Sequence, residues 1–473
     1  MHDSLALQLY YGLPLLRNTL ASIRGLQLRH WRYGGESAAL IQAAVEREHW
    51  TAAQWQHWQQ AELHKFLLHA RTQVPYYRDY WDQQTRAGRA ANAWETLANW
   101  PILDKTIIRA NFERLVADTR HTEKTSVDMT SGTSGQPVRL VNSRSAARRW
   151  YALCEARLRY WHGLGRADRW ANFGGKVIVP VGQTKPPFWV WSSALNQLYL
   201  SPYHLSPQNL DYYLDAIRDH RVKYILGLSS ALKILAQRLL ETGREDVRLQ
   251  VILTSSEQLT RSQRQTIAAG FRCPVRETYG TSEYAIGASE CEHGSMHLWP
   301  DVGMYELWRD GQVVEAGTGD LLTTSFVNPV MPLIRYKLGD RVTLPAPGAV
   351  CACGRTLPLL GSIDGRSGDV LIAADGREVS PANTETIFDI DVPFAETQIC
   401  QKDIGCFEVR YVPNGPVSRD HLASLALRMK QRFGEVRIDF CEMAAIPRGP
   451  NGKFRAVVSE IPEARRLQAV REG

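Results

Sequence analysis

Through residues 1–95 apolar residues recur at helical spacing, Trp is frequent, and Pro and Gly are sparse; Trp50, Trp55 and Trp58 are followed by Leu63, Phe66 and Leu67. Apolar positions three and four apart share one face of a helix, so this stretch predicts a helical cap packed by Trp. From about residue 125 the period changes. Short β-branched runs at 177–181, 224–228 and 249–253 alternate with helix-like stretches at 207–220, 230–242 and 260–270, the pattern of a mostly parallel sheet. Residues 303–345 read as antiparallel strands separated by Gly-rich turns. After Asp364-Gly365-Arg366 comes a new short run, then a helix-like 418–434 and a strand-like 436–441. The fold class expected is α/β. Residues 1–95 form a helical N-terminal cap region, and 96–364 form the core of a large domain with parallel-rich sheets and a small antiparallel, barrel-like part. Residues 365–473 form a small α+β C-terminal domain.

A chain of 473 residues is too long for one ordinary core, which agrees with this division. At 44% hydrophobic and 22% charged, it buries a large core without disulfide support. The net charge of +7 fits a nucleic-acid binder as well as an enzyme that handles ATP and acids. The Lys and Arg form no long basic run, which argues against nucleic acid as a partner. Eight Cys in a chain this long are not a disulfide scaffold. Asp3 comes early, no basic segment precedes the apolar stretch 5–16, and that stretch is too short to span a bilayer. The expectation is a cytoplasmic protein with no transmembrane segment; an N-terminal amphipathic helix resting on a membrane or a partner stays open.

Four motifs carry chemistry. In Thr130-Ser131-Gly132-Thr133-Ser134-Gly135-Gln136-Pro137, hydroxyls and glycines alternate. Gly lets the backbone turn so that N–H groups face an anion, and hydroxyls add donors to phosphate oxygens. The Gly-Lys-Ser/Thr ending of a Walker loop is absent. In Glu277-Thr278-Tyr279-Gly280-Thr281-Ser282-Glu283, a ring followed by Gly offers a flat surface for a base, and Glu283 offers an oxygen to a hard cation such as Mg²⁺. In Arg335-Tyr336-Lys337-Leu338-Gly339-Asp340, an Asp after a Gly turn can accept two hydrogen bonds from a ribose diol. Alone, each of these last two is also the pattern of a structural turn. In Pro447-Arg448-Gly449-Pro450-Asn451-Gly452-Lys453, a Lys on a Gly-rich turn can bring a compact charge to a reacting carboxylate and phosphate; the plain alternative is a solvated basic loop.

In this order the four motifs resemble those of the adenylate-forming superfamily of acyl-CoA ligases, nonribosomal peptide adenylation domains and luciferases. The similarity is greatest to the phenylacetate–CoA ligase branch and its subgroup often found with capsular polysaccharide genes. The stretches HKFLLHARTQVPYYRDYW and LPLLRNTLASIRG resemble that subgroup too. The resemblance implies ATP, Mg²⁺ and coenzyme A as cofactors and a small-molecule carboxylic acid as substrate. The acid would be adenylated and passed to CoA, or to an amine to give an amide; a non-catalytic scaffold is a third reading. By the same resemblance, Thr130, Ser131, Gly132, Thr133, Ser134 and Gly135 hold the ATP phosphates, with Thr130 also catalytic. Tyr279 stacks on adenine within the turn Tyr279, Gly280, Thr281, Ser282, while Glu283 binds Mg²⁺ and acts in catalysis. Asp340 holds the ribose with Arg366 nearby, and Lys453 is the catalytic lysine of adenylation. Ser256 and Glu257 lie where the family often has a Gly-Glu pair beside the adenine, and here Ser replaces Gly. The C-terminal domain would swing about Gly368, with Gly376 and Arg377 in its second-step loop. The acid pocket would use the segment 224–230 and residues flanking Tyr279, including Tyr284. A homodimer is also implied.

A second cluster stands apart. Cys351-Ala352-Cys353-Gly354 is a tight turn, and Cys291-Glu292-His293-Gly294-Ser295-Met296-His297 supplies further soft donors. Cys291, His297, Cys351 and Cys353 make a Cys₃His set suited to structural zinc, with His293 as the competing fourth ligand.

Overall fold

The computed structural model describes Tyr10, residues 14–129, 138–366, 370–379, Thr384, Ile387, 393–448, 454–462 and Arg465. Its N-terminal part is a run of helices, α1 (Arg17–Arg32), α2 (Ser37–Arg47), α3 (Ala52–Gln73) and α4 (Pro75–Arg86). Thr51 starts α3 with a reciprocal cap: its hydroxyl accepts from the Gln54 backbone N–H at 3.3 Å, and the Gln54 side chain accepts from the Thr51 N–H at 2.8 Å. Pro75 opens α4, where its missing N–H costs nothing. The inward faces of α3 and α4 (Phe66, Leu67, Ala70, Tyr77 and Trp81) join one core with Trp100, Leu321, Phe326 and Tyr336. The helical cap is therefore built onto the antiparallel sheet described next.

A hairpin of β1 (Thr125–Met129) and β2 (Arg139–Ser143) follows the short α5 (Lys105–Ala110) and leads into α6 (Arg144–Cys154). The chain then forms β3 (Trp170–Phe173), β4 (Trp189–Ser192), β5 (Gln197–Leu200), α7 (Leu210–Asp219), β6 (Tyr224–Gly227), α8 (Ser229–Thr242), β7 (Val251–Thr254), α9 (Arg261–Phe271), β8 (Val275–Gly280), β9 (Gly287–Glu290) and β10 (Met296–Leu298). After them come β11 (Gly303–Arg309), β12 (Gln312–Val314), β13 (Gly317–Ser325), β14 (Tyr336–Leu344), β15 (Leu359–Leu360) and β16 (Ser362–Arg366). Among the described residues these strands make a nine-stranded sheet, ordered β15-β10-β9-β8-β7-β6-β3-β5-β4, and a five-stranded antiparallel sheet, ordered β12-β11-β13-β14-β16. From β8 through β5 every neighbour is parallel, and α7, α8 and α9 are the crossovers.

The helices expected at 207–220, 230–242 and 260–270 and the strands at 224–228 and 249–253 form within two residues of those limits, apart from the first helix, whose opening turn is 3₁₀. The run 177–181 departs from expectation: it is irregular chain, and the strand lies earlier, at Trp170–Phe173. Gly174 and Gly175 interrupt the extended chain and Pro180 has no N–H for a ladder, so Ile178 and Val179 are buried against Val190 from a loop.

The C-terminal part has a small pair, β17 (Leu371–Ile372) and β18 (Glu378–Val379). It also has β19 (Phe394–Asp403), β20 (Cys406–Pro413), α10 (Arg419–Phe433), β21 (Arg437–Glu442) and β22 (Val457–Ser459), with the four longer-range strands ordered β21-β20-β19-β22. Leu425, Met429 and Phe433 of α10 share a separate core with Ile399, Phe407 and Val409. No helix of the described residues is long and apolar enough to cross a membrane.

Helix α6 continues into a π-turn at Glu155–Arg159, which carries the fully buried Arg157 inward. Its guanidinium pairs with Asp301 and lies 3.8 Å from Glu48, while Arg355 reaches the same Glu48 at 3.1 Å. Removing one member of a buried ion network strands the others, so Arg157→Met should lower the unfolding free energy by about 3 kcal/mol. Arg47 also pairs with Asp301, at 2.5 Å. A urea melt checks the prediction; a loss below about 1 kcal/mol would mean that Arg47 and Arg355 suffice for Asp301 and Glu48.

Candidate active site

Strands β3, β6, β7 and β8 all end at one edge, at Phe173, Gly227, Thr254 and Gly280. In an open parallel sheet the carboxyl ends of the strands are where ligands bind. Backbone bonds stitch that edge: Leu228 N–H to the Phe173 carbonyl at 2.9 Å and Ser255 N–H to the Gly227 carbonyl at 3.0 Å.

Three residues expected to serve the nucleotide meet here. The Tyr279 hydroxyl, at the end of β8, donates to Asp340 of β14 at 2.6 Å. Glu283, in the turn after β8, accepts from the Tyr336 hydroxyl at 3.1 Å. Tyr336 and Asp340 lie four residues apart on β14 and are buried with Glu283. The turn itself is held by Tyr284 N–H to the Thr281 carbonyl at 3.1 Å and by the Ser325 hydroxyl on the Tyr284 carbonyl at 2.6 Å. Arg366 of β16 is paired in register with Asp340. Tyr336 was present in the sequence motif without an assigned role, because its partner lies 53 positions away.

Ser256 has φ +71, the left-handed region that Gly takes freely and a side chain takes at a cost of about 1 kcal/mol. The neighbouring Glu257 caps α8, accepting from the Ser230 N–H at 2.9 Å and the Ser230 hydroxyl at 3.1 Å. The same carboxylate accepts from the Phe454 N–H at 2.7 Å. A second bond crosses there, from the Lys233 ammonium of α8 to the Ala395 carbonyl at 2.9 Å. Burial lowers the pKa of Lys233, and nearby Glu396 opposes that shift. Thr130, Ser131, Gly132, Thr133, Ser134, Gly135, Gly368 and Lys453 lie outside the described residues.

Beyond Gly280 stands an aromatic pair. Trp150 of α6 stacks on Tyr284 with centroids 5.1 Å apart, and a Cβ on Gly280 would sit 3.2 Å from the Trp150 ring. Burial raises the pKa of the Tyr284 hydroxyl, with Tyr151 and Asp128 adding to the rise.

The four soft donors also converge. Ligand atoms of Cys291, His297, Cys351 and Cys353 all lie within 4.8 Å of one another, and His293 is not in the group. The Cys291 and Cys351 sulfurs are 3.6 Å apart, and Cys353 Sγ is 3.4 Å from His297 Nε2. His297 Nδ1 lies 3.2 Å from the Leu357 carbonyl, an arrangement that leaves Nε2 as the acceptor facing the sulfurs. Three sulfurs and one imidazole nitrogen on two turns suit tetrahedral zinc. The cluster sits by β10 and β15, at the far end of the nine-stranded sheet from β3.

With this geometry in place, the chain can be set beside known proteins. A solved 2-hydroxyisobutyryl-CoA ligase, in the postadenylation state with R3-HIB-AMP, superposes with a TM-score of 0.68 over 90% of this chain and 94% of that one, at 18% identity. The fold is that of the adenylate-forming CoA ligases. Residues 371–460 match the CapK C-terminal domain family. The chain is also similar to protein CapK of Staphylococcus aureus, 27% identical over 76% of this chain and 80% of that protein. To a phenylacetate-coenzyme A ligase of Thermus thermophilus it is 25% identical over 70% and 74% of the two chains. The chain is thus similar to phenylacetate–CoA ligases over most of its length, and its residues 371–460 match the CapK C-terminal domain family.

Because the bond from Phe454 ends on Glu257, Glu257→Ala should speed hydrogen exchange of the Phe454 amide about tenfold, the equivalent of one lost charged hydrogen bond. Exchange mass spectrometry of a peptide that starts several residues before Phe454 reads this, and an unchanged rate would mean that the contact does not hold that segment in solution.

Proposed function

We propose that the chain is an ATP-dependent, AMP-forming ligase that activates a carboxylic acid as its acyl-adenylate and transfers the acyl group to coenzyme A. The observation that carries this reading is the meeting of Tyr279, Glu283 and Asp340 at the carboxyl ends of the parallel strands, beside a Glu257 that holds Phe454 of the C-terminal part. The named relatives that are CoA ligases support the same reading and favour a thiol acceptor.

In the first step a carboxylate oxygen of the acid attacks the α-phosphorus of ATP, the bond to the bridging oxygen breaks, and pyrophosphate leaves. The work of the protein is positioning and charge stabilisation. The face of Tyr279 takes the adenine, and the buried Asp340 accepts from the ribose hydroxyls with Arg366 beside it on the neighbouring strand. Thr130, Ser131, Gly132, Thr133, Ser134 and Gly135 cradle the phosphates, and Lys453 offsets the charge that develops between carboxylate and phosphate. Glu283 has one oxygen engaged by Tyr336 and a second available to Mg²⁺, which when bound neutralises phosphate charge. In the second step the CoA sulfur attacks the acyl carbonyl carbon as thiolate, the thiol proton is lost, and AMP leaves. The division of the chain near residue 365 lets a C-terminal unit carrying Lys453 dock for the first step and re-dock for the second.

ATP–pyrophosphate exchange over a panel of aryl, aliphatic, hydroxy, amino and sugar acids tests this reading. Exchange with one class should fall at least about a hundredfold in Lys453→Ala. Exchange with no acid in folded, metal-replete protein would sink the proposal and leave a scaffold role. Product formed with amines and not with CoA would redirect the second step to amide synthesis.

For the Cys₃His cluster we propose structural zinc, closed to substrate because all four positions are taken by protein. Elemental analysis should give one zinc per chain, and Cys353→Ser should lose it and melt several degrees lower. A metal-free protein that melts normally would overturn this assignment.

A further inference from the structure

Helix α1 lies against β4, the last strand of the nine-stranded sheet. The Asn18 side chain accepts from the Trp191 N–H at 2.9 Å, the Ser22 hydroxyl from the Ser193 N–H at 3.1 Å, and the Ala21 carbonyl from the Ser192 hydroxyl at 3.2 Å. A Cβ on Gly25 would come within 2.3 Å of Ser192 Oγ, so the glycine sets how closely helix and strand approach. At the start of the helix the buried Arg17 donates to the Gln183 side chain at 2.7 Å. At about 100° of turn per residue, Leu16, Ile23 and Leu26 share an arc of roughly 80° on the side turned away from Asn18, Ala21 and Gly25.

That outer row is bare. Ile23 is 52% exposed, Leu26 58%, and Leu15, just before the helix, 96%. One aliphatic side chain in water is ordinary, whereas a row at helical spacing marks a contact face. Arg24 and Arg29 are exposed too, and the helical turn sets one on each side of the row. Lys185 is exposed near the Leu16 end, its carbonyl accepting from the Gln183 side chain at 2.7 Å. The surrounding charge has one sign. Stretches 4–35 and 169–210, which these bonds join, hold Arg17, Arg24, Arg29, Arg32, Arg169, Lys176 and Lys185 and no acid, in a chain with 49 Asp and Glu. The first acid after α1, Glu36, is already paired with Arg148 at 2.6 Å. Among the described residues none of Arg24, Arg29 and Lys185 forms an ion pair.

We propose that this face docks on a lipid bilayer bearing anionic headgroups. Helix α1 lies in the plane of the surface, with Ile23 and Leu26 at the boundary of headgroups and acyl chains and Arg24 and Arg29 on the headgroups. A convex aliphatic row with arginines on both flanks is the form of an interfacial helix; a protein partner is met through aromatic anchors set in pockets. A second copy of the chain is disfavoured by charge, since a two-fold contact would set this basic face against itself. Four arginines in a 16-residue helix keep it on the surface and out of the hydrocarbon. None of these residues belongs to the nucleotide set, so the proposal stands apart from the adenylation reading.

The experiment is co-sedimentation of the full chain with vesicles of phosphatidylcholine alone and of phosphatidylcholine mixed equally with phosphatidylglycerol. The chain should bind the mixed vesicles at least about tenfold more tightly, and salt at about 0.5 M should remove most of that difference. Arg24→Gln with Arg29→Gln should weaken binding to the mixed vesicles about twentyfold, at roughly fivefold per cation. Ile23→Gln with Leu26→Gln should weaken it at least about tenfold and keep the preference for the charged lipid. Ile23→Trp should strengthen it, a gain that damage to the fold does not produce. These sites are exposed, so melting temperatures should match the parent's. Equal binding to both vesicle types, no binding to either, or binding that either double variant leaves unchanged would overturn the proposal. A dimer that Ile23→Gln with Leu26→Gln dissolves would give the face to a second copy instead. Retention on polyglutamate with none on vesicles would give it to an acidic protein.

Discussion

Two hydroxyl–carboxylate hydrogen bonds, Tyr279 to Asp340 and Tyr336 to Glu283, lock the end of the parallel strands to the antiparallel sheet, and the cleft is arranged around that junction. A bond from a neutral donor to a charged acceptor contributes about 1.5–3 kcal/mol when it is shielded, and two of them on one strand fix its register as well as its distance. The turn between them has little freedom left. Tyr284 is held at φ +52, its carbonyl is bound by Ser325, and its ring lies under Trp150. Side chains presented from such a turn lose little entropy when a ligand arrives, which is the structural meaning of a preorganised site.

The far edge of the nine-stranded sheet is stabilised by different means. There Cys351 and Cys353 meet Cys291 and His297, and the surroundings are rich in rings and buried charge. Trp161 lies 5.7 Å from the His297 ring, donates its indole N–H to Glu48 at 2.7 Å, and carries Arg355 4.5 Å above its face. Glu48 follows α2, so this network ties the helical cap to the sheet edge. It stands at the β15–β10 edge of the sheet, two strands from β8.

The seam between the C-terminal part and the cleft is of a third kind. The bonds from Phe454 to Glu257 and from Lys233 to Ala395 are polar and use backbone groups on the C-terminal side. Water can replace such bonds at a small net cost, whereas the apolar core of Leu425, Met429, Phe433 and Ile399 cannot be opened cheaply. The C-terminal part therefore keeps its own core while its contacts to the cleft are individually weak.

Local periodicity was legible in the chain. The run 260–270 reads as a helix, and Thr260 with Gln263 starts it there; Ser418 with His421 does the same for α10. The soft donors were legible as well, because two turns confine them to short stretches. The run 177–181 was misread, since burial alone makes a loop look like a strand when Gly and Pro break its ladder. The exchange of Ser for Gly at 256 could be seen in the sequence, but its left-handed φ belongs to the folded turn. Sequence by itself determined most of the helices and strands and brought the candidate residues into view, because both depend on neighbours within a few positions. Only the tertiary structure decided that Tyr279 meets Asp340 across 61 positions and that Tyr336 engages Glu283. Those meetings are set by how sheets and helices pack, and packing sums over contacts far apart in the chain.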